Sequence, residues 1–367
     1  MKLKRVVGWS AGAILIALLV AALIAYESSS NACYDRTPAV SSKPMKAIVY
    51  CDYGSPDILK LEDVEKPTAG DDQVLVRVRA ASVNPLDWHV MRGTPRFGRI
   101  EMGLRKPKET RLGVDFAGTV EAVGKNVTGF KPGDDVFGAR TGAFAQYVSV
   151  RADRAVVLKP ANITFEQAAS VPIAAITALQ SLRDKAHVQA GQKVLINGAS
   201  GGVGTFAVQI AKSLGAEVTG VCSTRNVDLV RSIGADKVID YTKEDFTKSG
   251  ERYDVFIDNV GNHSLSDCRR VLTLQGKYVM VGGQSGQWIS PMDRALNAVL
   301  LSKFVSQEMG MFLAKLKKDD LSTLSDLMQA GKVKPVIDRR YKLSEVPEAI
   351  RYLEQGHARG KVVIAVD

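Results

Sequence analysis

Cysteine is scarce in this sequence, and the few cysteines show no pairing pattern. The 367 residues contain four of them, Cys33, Cys51, Cys222 and Cys268, and their spacing is neither that of a disulfide framework nor that of a zinc knuckle. Cys222 falls in an apolar segment that predicts a core strand, where a small apolar side chain is its default role. The sequence therefore predicts neither a disulfide-stapled fold nor a structural zinc lobe.

The chain also lacks the interleaved aromatic and basic residues that mark a nucleic-acid-binding surface. Its formal net charge is +10, and part of this charge lies between Arg92 and Arg111, a segment with seven basic and two acidic residues. We interpret this segment as a solvated basic loop. A surface that attracts an anionic cofactor or touches lipid head groups is the alternative. Nucleic acid is not expected as a partner.

A glycine-rich stretch organises the second half of the chain. The apolar run Val194 to Ile196 predicts a buried strand, Gly198 to Gly204 a turn, Thr205 to Leu214 a helix, and Val218 to Cys222 a second strand. This is the first unit of a dinucleotide-binding sheet. Glycines in the turn let backbone N–H groups approach a pyrophosphate at the positive end of the helix. The pattern therefore predicts a dinucleotide site.

The end of the second strand favours NADPH as the cofactor. An NAD site usually has an acidic residue there to bind the ribose hydroxyls, but this strand ends in Cys222-Ser223-Thr224-Arg225. A hydroxyl followed by a guanidinium suits a 2′-phosphate, which needs donors and positive charge. The alternative is that Arg225 is a solvated loop arginine.

The chain divides into two parts with different patterns, as its length also suggests. Between Met45 and Pro160, short apolar segments and glycine turns predict a compact, barrel-like unit of β-strands; within it, Ser82 to Trp88 is predicted as a proline-containing loop. Beyond Pro160, strands alternate with helices, which predicts βαβ units and a parallel sheet. A closing strand from Lys361 to Val366 is expected to return to the first unit.

Seven motifs occur together in this order: ASVNPLDW (81–88), GVDFAGTVEAVG (113–124), KPGDDVFG (131–138), GASGGVGTFAVQIAK (198–212), GADKVIDY (234–241), DNVG (258–261) and GHARGKVVI (356–364). With them the chain resembles the medium-chain dehydrogenase/reductase superfamily, in its zinc-independent quinone oxidoreductase branch, from Met45 to Asp367. The resemblance implies an α/β fold, with a Rossmann-like doubly wound parallel sheet and a GroES-like β-barrel catalytic domain. The divisions that it implies are a catalytic domain at 45–170, an NADPH-binding domain at 171–308 and a C-terminal return at 309–367.

The resemblance also assigns the cofactor site. The residues are Ser200, Gly201, Gly202, Val203 and Gly204 for the pyrophosphate, Ser223 and Arg225 for the 2′-phosphate, Tyr241 for the adenosine, Asn259, Val281, Gly282 and Gly283 for the ribose and nicotinamide, and His357, Ala358 and Arg359 from the returning C-terminal part. For His357 a solvated position at a helix end is the alternative, and for Arg359 a surface cation.

The same resemblance implies chemistry without a metal. Asn84 stands where zinc-dependent relatives have a cysteine, and Ala139 to Gln146 holds no cysteine where their structural zinc lobe would lie. A quinone or an α,β-unsaturated carbonyl is already electrophilic, so an oriented nicotinamide can reduce it. We expect Asn84 to be the catalytic polar contact; an asparagine that caps the turn before Pro85 is the alternative.

Two other functions stay open at this point. One is an NAD(P)-dependent alcohol or aldehyde dehydrogenase, which the missing zinc ligands disfavour. The other is an interaction module that binds NADPH and turns over little. The expected partner is a small-molecule substrate, and a homodimer stays possible.

The N-terminus predicts a membrane helix. Lys2, Lys4 and Arg5 precede an uncharged run of twenty residues, Val6 to Ala25, which is long enough to span a bilayer. We predict an anchor or signal at 1–26 and a linker at 27–44, with a retained anchor favoured over a cleaved signal. Because NADPH is an intracellular cofactor, the catalytic part is expected on the cytoplasmic side of the membrane.

Overall fold

The computed structural model describes residues 44–283 and 291–366. The strands in these ranges are β1 (Pro44–Val49), β2 (Lys60–Glu65), β3 (Gln73–Val83), β4 (Asp115–Val123), β5 (Asp135–Ala139), β6 (Tyr147–Arg151), β7 (Val156–Leu158), β8 (Lys193–Asn197), β9 (Glu217–Cys222), β10 (Lys237–Asp240), β11 (Tyr253–Asp258), β12 (Leu272–Met280), β13 (Glu308–Met311), β14 (Ile337–Lys342) and β15 (Lys361–Ala365). The helices are α1 (Pro85–Arg92), α2 (Arg99–Met102), α3 (Phe165–Ala169), α4 (Pro172–Gln180), α5 (Gly202–Ser213), α6 (Val227–Ser232), α7 (Leu265–Arg270), α8 (Met292–Ser302), α9 (Lys318–Gln329) and α10 (Val346–Glu354).

The first sheet is mainly antiparallel and forms the GroES-like unit. Its strand order is β14-β15-β3-β4-β5-β7, with β6 paired to β3. The sequence of β3 alternates in the way a half-buried strand does, and Val74, Val76 and Val78 are buried. As the sequence predicts, β15 returns from the C-terminus to pair with β3, and Val362 lies opposite Val83.

The second sheet is parallel and Rossmann-like. Its order is β10-β9-β8-β11-β12-β13, and every pairing in it is parallel. Val194, Leu195 and Ile196 of β8 are fully buried, which explains the uninterrupted apolar run. The strand order reverses between β8 and β11, and the carboxyl ends of strands at such a switch point form a crevice for ligands.

One hydrophobic cluster connects these two large sheets. A continuous cluster of buried side chains includes Phe137 from the first sheet, Ile196 from the second, and Ala175 and Leu179 from α4 between them. The crevice of the second sheet therefore opens beside the first sheet. The predicted division at residues 45, 171 and 309 stays a prediction.

One local prediction is wrong. Residues 85–88, the second half of the predicted loop from Ser82 to Trp88, belong to the helix α1. Asn84 has extended backbone and occupies the N-cap, Pro85 stands in the first turn, and the Asp87 carboxylate accepts a hydrogen bond of 2.7 Å from the backbone N–H of Asn84. Proline suits this position because the first helical N–H has no partner within the helix. The proline therefore starts a helix instead of preventing one.

The described cysteines also depart from expectation in one respect. Cys222 and Cys268 are free and buried, as expected for a core residue at position 222. Cys51 is disulfide-bonded, although the spacing of the cysteines predicts no disulfide.

The predicted location is contradicted. Across residues 44–283 and 291–366 no helix has both the length and the apolar character that a bilayer span needs. This finding does not support the expected single-pass membrane protein with a cytoplasmic catalytic part. The predicted anchor at 1–26 lies outside the described residues.

Candidate active site

The residues predicted to bind the cofactor lie at one edge of the parallel sheet. Ser200 follows β8, Ser223 follows β9, Tyr241 follows β10, Asn259 follows β11 and Val281 follows β12. Because the carboxyl ends of parallel strands meet at the same edge, five segments that are distant in sequence converge there. The helix α5 begins at the same edge, so its positive N-terminal end faces this crevice.

The glycine-rich turn has the close packing and the open face that a phosphate cradle needs. A Cβ on Gly204 would lie 2.1 Å from the carbonyl oxygen of Gly198, so only glycine lets α5 approach the turn this closely. A Cβ on Gly201 would meet only that same oxygen, at 3.4 Å. The backbone at Gly201 is therefore accessible from the crevice, and the first N–H groups of α5 point along it.

The predicted 2′-phosphate residues lie beside the turn. The Asn226 amide donates to the hydroxyl oxygens of Ser200, at 3.0 Å, and Ser223, at 3.1 Å. Arg225 is exposed, and its Nη2 donates to the carbonyl oxygen of His357 at 2.9 Å. This contact brings the C-terminal segment with Ala358 and Arg359 next to the end of β9.

An acidic residue at the end of the neighbouring strand β10 also lies close to the end of β9, although the cofactor prediction from the sequence does not include it. Asp240, the last residue of β10, accepts a hydrogen bond of 2.6 Å from the Thr224 hydroxyl. Hydrogen bonds from Thr224 and Thr242 lower the pKa of Asp240 to about 2. Tyr241, which follows it, is exposed at the same edge of the sheet.

On the other side of the switch point, Asn259 presents an unsatisfied acceptor. Its Nδ2 donates to the carbonyl oxygen of Asn197 at 2.9 Å, while its buried Oδ1 has no hydrogen-bond partner among the described residues. A buried acceptor without a partner is costly unless a ligand supplies a donor. A Cβ on Gly282 would lie 2.2 Å from the Asn259 carbonyl oxygen, so this glycine lets the turn that also holds Val281 and Gly283 lie against Asn259.

The predicted catalytic residue, Asn84, is buried and fully engaged by the protein. Its side chain is 1% exposed. The Nδ2 group donates to Asp115 Oδ2 at 2.9 Å and lies 3.4 Å from the Ser82 carbonyl oxygen. Its Oδ1 accepts from Lys361 Nζ at 2.5 Å. Asn84 is therefore held by two charged groups rather than by a turn alone.

These contacts belong to a buried cluster of charges, in which Asp87, Asp115 and Lys361 are all at most 3% exposed. Burial raises the pKa of Asp115, and Lys361 and the hydrogen bonds to the carboxylate oppose this change. Burial likewise raises the pKa of Asp87, to about 7, and lowers that of Lys361. Such opposed shifts are typical of functional sites.

A cavity of about 320 Å³ opens beside this cluster. Most of its exposed wall is apolar and includes Leu86, Val90, Met102, Leu112 and Val114. Asp87 contributes a polar part of the wall. Lys108 and Arg111 also line it, so part of the segment interpreted as a solvated basic loop is a wall of the cavity. A mostly apolar cavity with a few polar groups suits a small organic substrate.

Sequence reasoning missed Lys361 and Asp115 as site residues. The signal was present: each is a charged residue within an otherwise apolar strand segment, KVVIAV for Lys361 and VDFAG for Asp115. Charges in such positions are rarely buried unless they are paired. Clusters of three or more metal-ligating side chains are absent from the part of the chain that the structure describes.

Comparison with known proteins identifies the family. The family described as "Alcohol dehydrogenase GroES-like domain" matches residues 70–161, and that described as "Zinc-binding dehydrogenase" matches residues 233–364. The NADPH-dependent alkenal/one oxidoreductase of Arabidopsis thaliana, a chloroplastic protein, is 35% identical over 92% of this chain and 84% of its own length. The mitochondrial NAD(P)H oxidoreductase RTN4IP1 of Mus musculus is 34% identical over 90% of this chain and 91% of its own.

A solved structure agrees with these relatives. The quinone oxidoreductase from Coxiella burnetii superposes with a TM-score of 0.78 and is 32% identical, and the match covers 89% of this chain and all of that one. The resemblance inferred from the motifs is thereby confirmed. The chain belongs to the medium-chain dehydrogenase/reductase superfamily and is an NAD(P)H-dependent oxidoreductase.

Proposed function

We propose that the protein uses NADPH to reduce quinones or α,β-unsaturated carbonyl compounds. The observation that carries this proposal is that the glycine-rich turn and the apolar cavity both adjoin the buried cluster of Asp87, Asp115 and Lys361. The side chain of Lys361 spans the distance: its Cδ lies 3.3 Å from where a Cβ of Gly202 would be, and its Nζ lies 2.5 Å from Asn84 Oδ1. A dinucleotide on the turn would therefore have its reactive end beside a pocket for an apolar substrate.

The residues present fit NADPH. The turn from Ser200 through Gly201, Gly202 and Val203 to Gly204 offers backbone donors for the pyrophosphate, and the unsatisfied Oδ1 of Asn259 offers an acceptor for the ribose or carboxamide. Ser223 and Arg225 offer donors and charge for the 2′-phosphate, with Tyr241 near the adenosine. The remaining proposed contacts are Val281, Gly282, Gly283, His357, Ala358 and Arg359.

The preference for NADPH over NADH rests on Arg225 and on the names of relatives. Arg225 lies beside Ser223 at the end of β9 and forms no ion pair with Asp240, whose carboxylate is satisfied by Thr224 and Thr242. Within the described residues its guanidinium donates one hydrogen bond, to the backbone carbonyl of His357. A phosphate can therefore replace or extend that contact. The Arabidopsis relative is named as NADPH-dependent.

When bound, the reduced nicotinamide supplies the hydride. The protein has to orient the acceptor and stabilise the negative charge that develops on its oxygen. Asn84, held by Lys361 and Asp115 in the cluster next to the cavity, is the polar group that we propose for this role, and Leu86, Val90 and Leu112 provide apolar surface for a flat substrate. Asp87, in the cavity wall with a pKa raised to about 7, is a titratable group that can supply the proton.

The names of relatives support both classes of substrate. One relative is named as an alkenal/one oxidoreductase and the superposed structure as a quinone oxidoreductase. Both classes share a carbonyl conjugated to a carbon–carbon double bond, and a reduced nicotinamide can transfer hydride to such a system without a strong Lewis acid.

The test is an assay of purified protein with NADPH and a panel of water-soluble quinones, enones and saturated aldehydes, and with NADP+ and saturated alcohols, followed through the absorbance of the reduced cofactor. We expect NADPH consumption with at least one quinone or enone, and neither consumption nor formation of NADPH above background with saturated substrates. Reduction or oxidation of saturated substrates alone would favour an alcohol or aldehyde dehydrogenase. Tight NADPH binding without turnover on any substrate would favour a binding module.

A further inference from the structure

Lys361 is a lysine that is buried beside the proposed site. It is the first residue of β15 and only 3% exposed. Lysine is among the residues least often fully buried, because its ammonium loses its hydration. If this position needed only packing, an apolar side chain of similar length would fill it at lower cost. The charge therefore calls for a specific explanation.

The ammonium group faces only oxygen atoms among its closest partners. It donates to Asn84 Oδ1 at 2.5 Å and to the Val83 carbonyl oxygen at 3.3 Å, and it lies 3.8 Å from Asp115 Oδ2. Three oxygens around one nitrogen fit a protonated amine, which is a donor only.

Asp115 has the opposite character. Its carboxylate accepts from the Ser82 hydroxyl at 3.0 Å, from Asn84 Nδ2 at 2.9 Å and from the backbone N–H of Ile173 at 3.0 Å. Three converging donors fit an ionised carboxylate, which is an acceptor only. Asn84 therefore lies between an obligatory donor and an obligatory acceptor.

This arrangement decides which way the Asn84 amide faces. The two ends of an asparagine amide have nearly the same shape, so packing alone does not distinguish them. With Lys361 on one side and Asp115 on the other, only one of the two orientations makes both hydrogen bonds. The reversed amide would set its NH₂ group against the ammonium and its oxygen against the carboxylate.

Lys361 also connects Asn84 with the glycine-rich turn. The residue before it, Gly360, donates its backbone N–H to the Ser200 carbonyl oxygen at 2.8 Å. A Cβ on Gly360 would lie 2.4 Å from the Val336 carbonyl oxygen, so the chain at this point has little room to move. The position of Lys361 is therefore fixed by the same turn that we propose for the pyrophosphate.

We propose that Lys361 is a positioning residue that fixes the orientation of the Asn84 amide relative to the nicotinamide end of the cofactor site. It acts through Asn84 and not on the substrate directly. The inference rests on the proposed function, because Asn84 matters to turnover only if the site reduces a bound substrate.

The kinetic test is a double-mutant cycle with Lys361→Met and Asn84→Ala. Each single variant should lower kcat by about tenfold or more, while the Kd for NADPH, measured by cofactor fluorescence, stays within about threefold of wild type. If Lys361 acts through Asn84, the double variant should be no slower than Asn84→Ala alone. Multiplying effects of the two substitutions on kcat would overturn the proposal. Lys60→Met, an exposed lysine on β2, is the matched control and should change neither quantity.

A second arm separates positioning from charge balance. Lys361→Met leaves Asp115 buried without its cation, and the variant can lose stability for that reason alone. Combining it with Asp115→Asn removes both charges and should recover the melting temperature. We expect kcat to stay low, because neither neighbour then fixes the amide. Recovery of kcat together with stability would show that Lys361 only balances charge. Lys361→Arg, which keeps a donor-only cation, should be closer to wild type than Lys361→Met.

A third arm does not depend on turnover. The side-chain amide of Asn84 gives an NMR signal that can be assigned by its loss in Asn84→Ala. In wild type it should be shifted and slow to exchange with solvent, and in Lys361→Met it should move and exchange faster. An unchanged signal would overturn the proposal. If wild type reduces no quinone or enone and the signal still responds, the proposed function fails while the positioning of Asn84 by Lys361 stands.

Discussion

At the scale of single residues, charge is placed where it has a defined partner. Arg225 at the end of β9 is exposed and donates to the backbone carbonyl of His357, whereas Asp87, Asp115 and Lys361 are buried together. Exposed and buried charges in this protein therefore predict different consequences of substitution. The exposed arginine should affect which cofactor binds, and a buried acid should affect how stability depends on pH.

Replacing Arg225 with Asp should weaken NADPH much more than NADH. Loss of a hydrogen bond to a charged group, and its replacement by a like charge, should raise the KM for NADPH by about tenfold or more, while the KM for NADH changes by no more than about twofold. Steady-state kinetics with both cofactors measures this. Arg231→Asp, an exposed arginine on the neighbouring α6, is the control. Equal effects of Arg225→Asp on both cofactors would remove the argument for a 2′-phosphate site.

Replacing Asp87 with Asn should alter the pH dependence of stability. Burial raises the pKa of Asp87 from 3.8 to about 7, so the folded protein keeps a proton that the unfolded chain has already released. Its contribution is therefore most favourable below about pH 4 and is lost as the pH rises toward about 7, by at most about 4 kcal/mol. Because asparagine does not titrate, the melting temperature of the variant should increase relative to that of wild type as the pH rises from about 4 to about 7.

The matched control for this substitution is Asp228→Asn, since Asp228 is fully exposed in the first turn of α6. Its melting temperature should follow that of wild type at every pH. If Asp87→Asn instead loses stability relative to wild type as the pH rises, then Asp87 is an ionised helix cap, and the raised pKa is wrong.

At the scale of elements, the sequence predicts regular segments well and their irregular ends less well. The strand β9, Glu217–Cys222, starts only one residue before the predicted run Val218 to Cys222, because a buried strand is a local apolar pattern. The first half of α1 falls in the segment Ser82 to Trp88 that the sequence predicts as a loop, although Asn84 before the proline and Asp87 three residues later are helix-cap signals. The helix predicted from Thr205 to Leu214 begins three residues earlier, at Gly202, inside the predicted glycine turn.

The contact between α5 and the glycine-rich turn gives a prediction at this scale. Gly204→Ala should lower the free energy of unfolding by about 1–3 kcal/mol, because its Cβ would lie 2.1 Å from the Gly198 carbonyl oxygen. It should also weaken NADPH binding, since the helix N-terminus has to move away from the turn. Denaturant unfolding and cofactor fluorescence measure the two effects. Gly129→Ala, whose Cβ would meet no atom within 4 Å, should change neither, and equal losses in both variants would contradict this account.

At the scale of the whole molecule, the C-terminal segment joins the parts of the site. His357 contacts Arg225, Gly360 contacts Ser200, and Lys361 contacts Asn84. The last pair is separated by 277 positions, so no spacing in the sequence predicts it. The family motifs show that these residues belong to one protein type, but only the pairing of β15 with β3 places the lysine beside the asparagine. For this reason the family motifs in the sequence propose residues for the cofactor site, whereas the buried charge cluster is visible only in the structure.

The central claim is that the protein delivers a hydride from NADPH directly to a conjugated acceptor in the cavity beside Asn84. The most direct test is turnover of an enone with NADPH that carries deuterium on one face of the nicotinamide C4, followed by mass spectrometry of the product. We predict that one of the two labelled forms of NADPH gives a reduced product with a single deuterium at its β-carbon. The second hydrogen of the product should come from solvent. A product that carries no deuterium from either labelled face, or cofactor oxidation without a reduced product, would contradict the account.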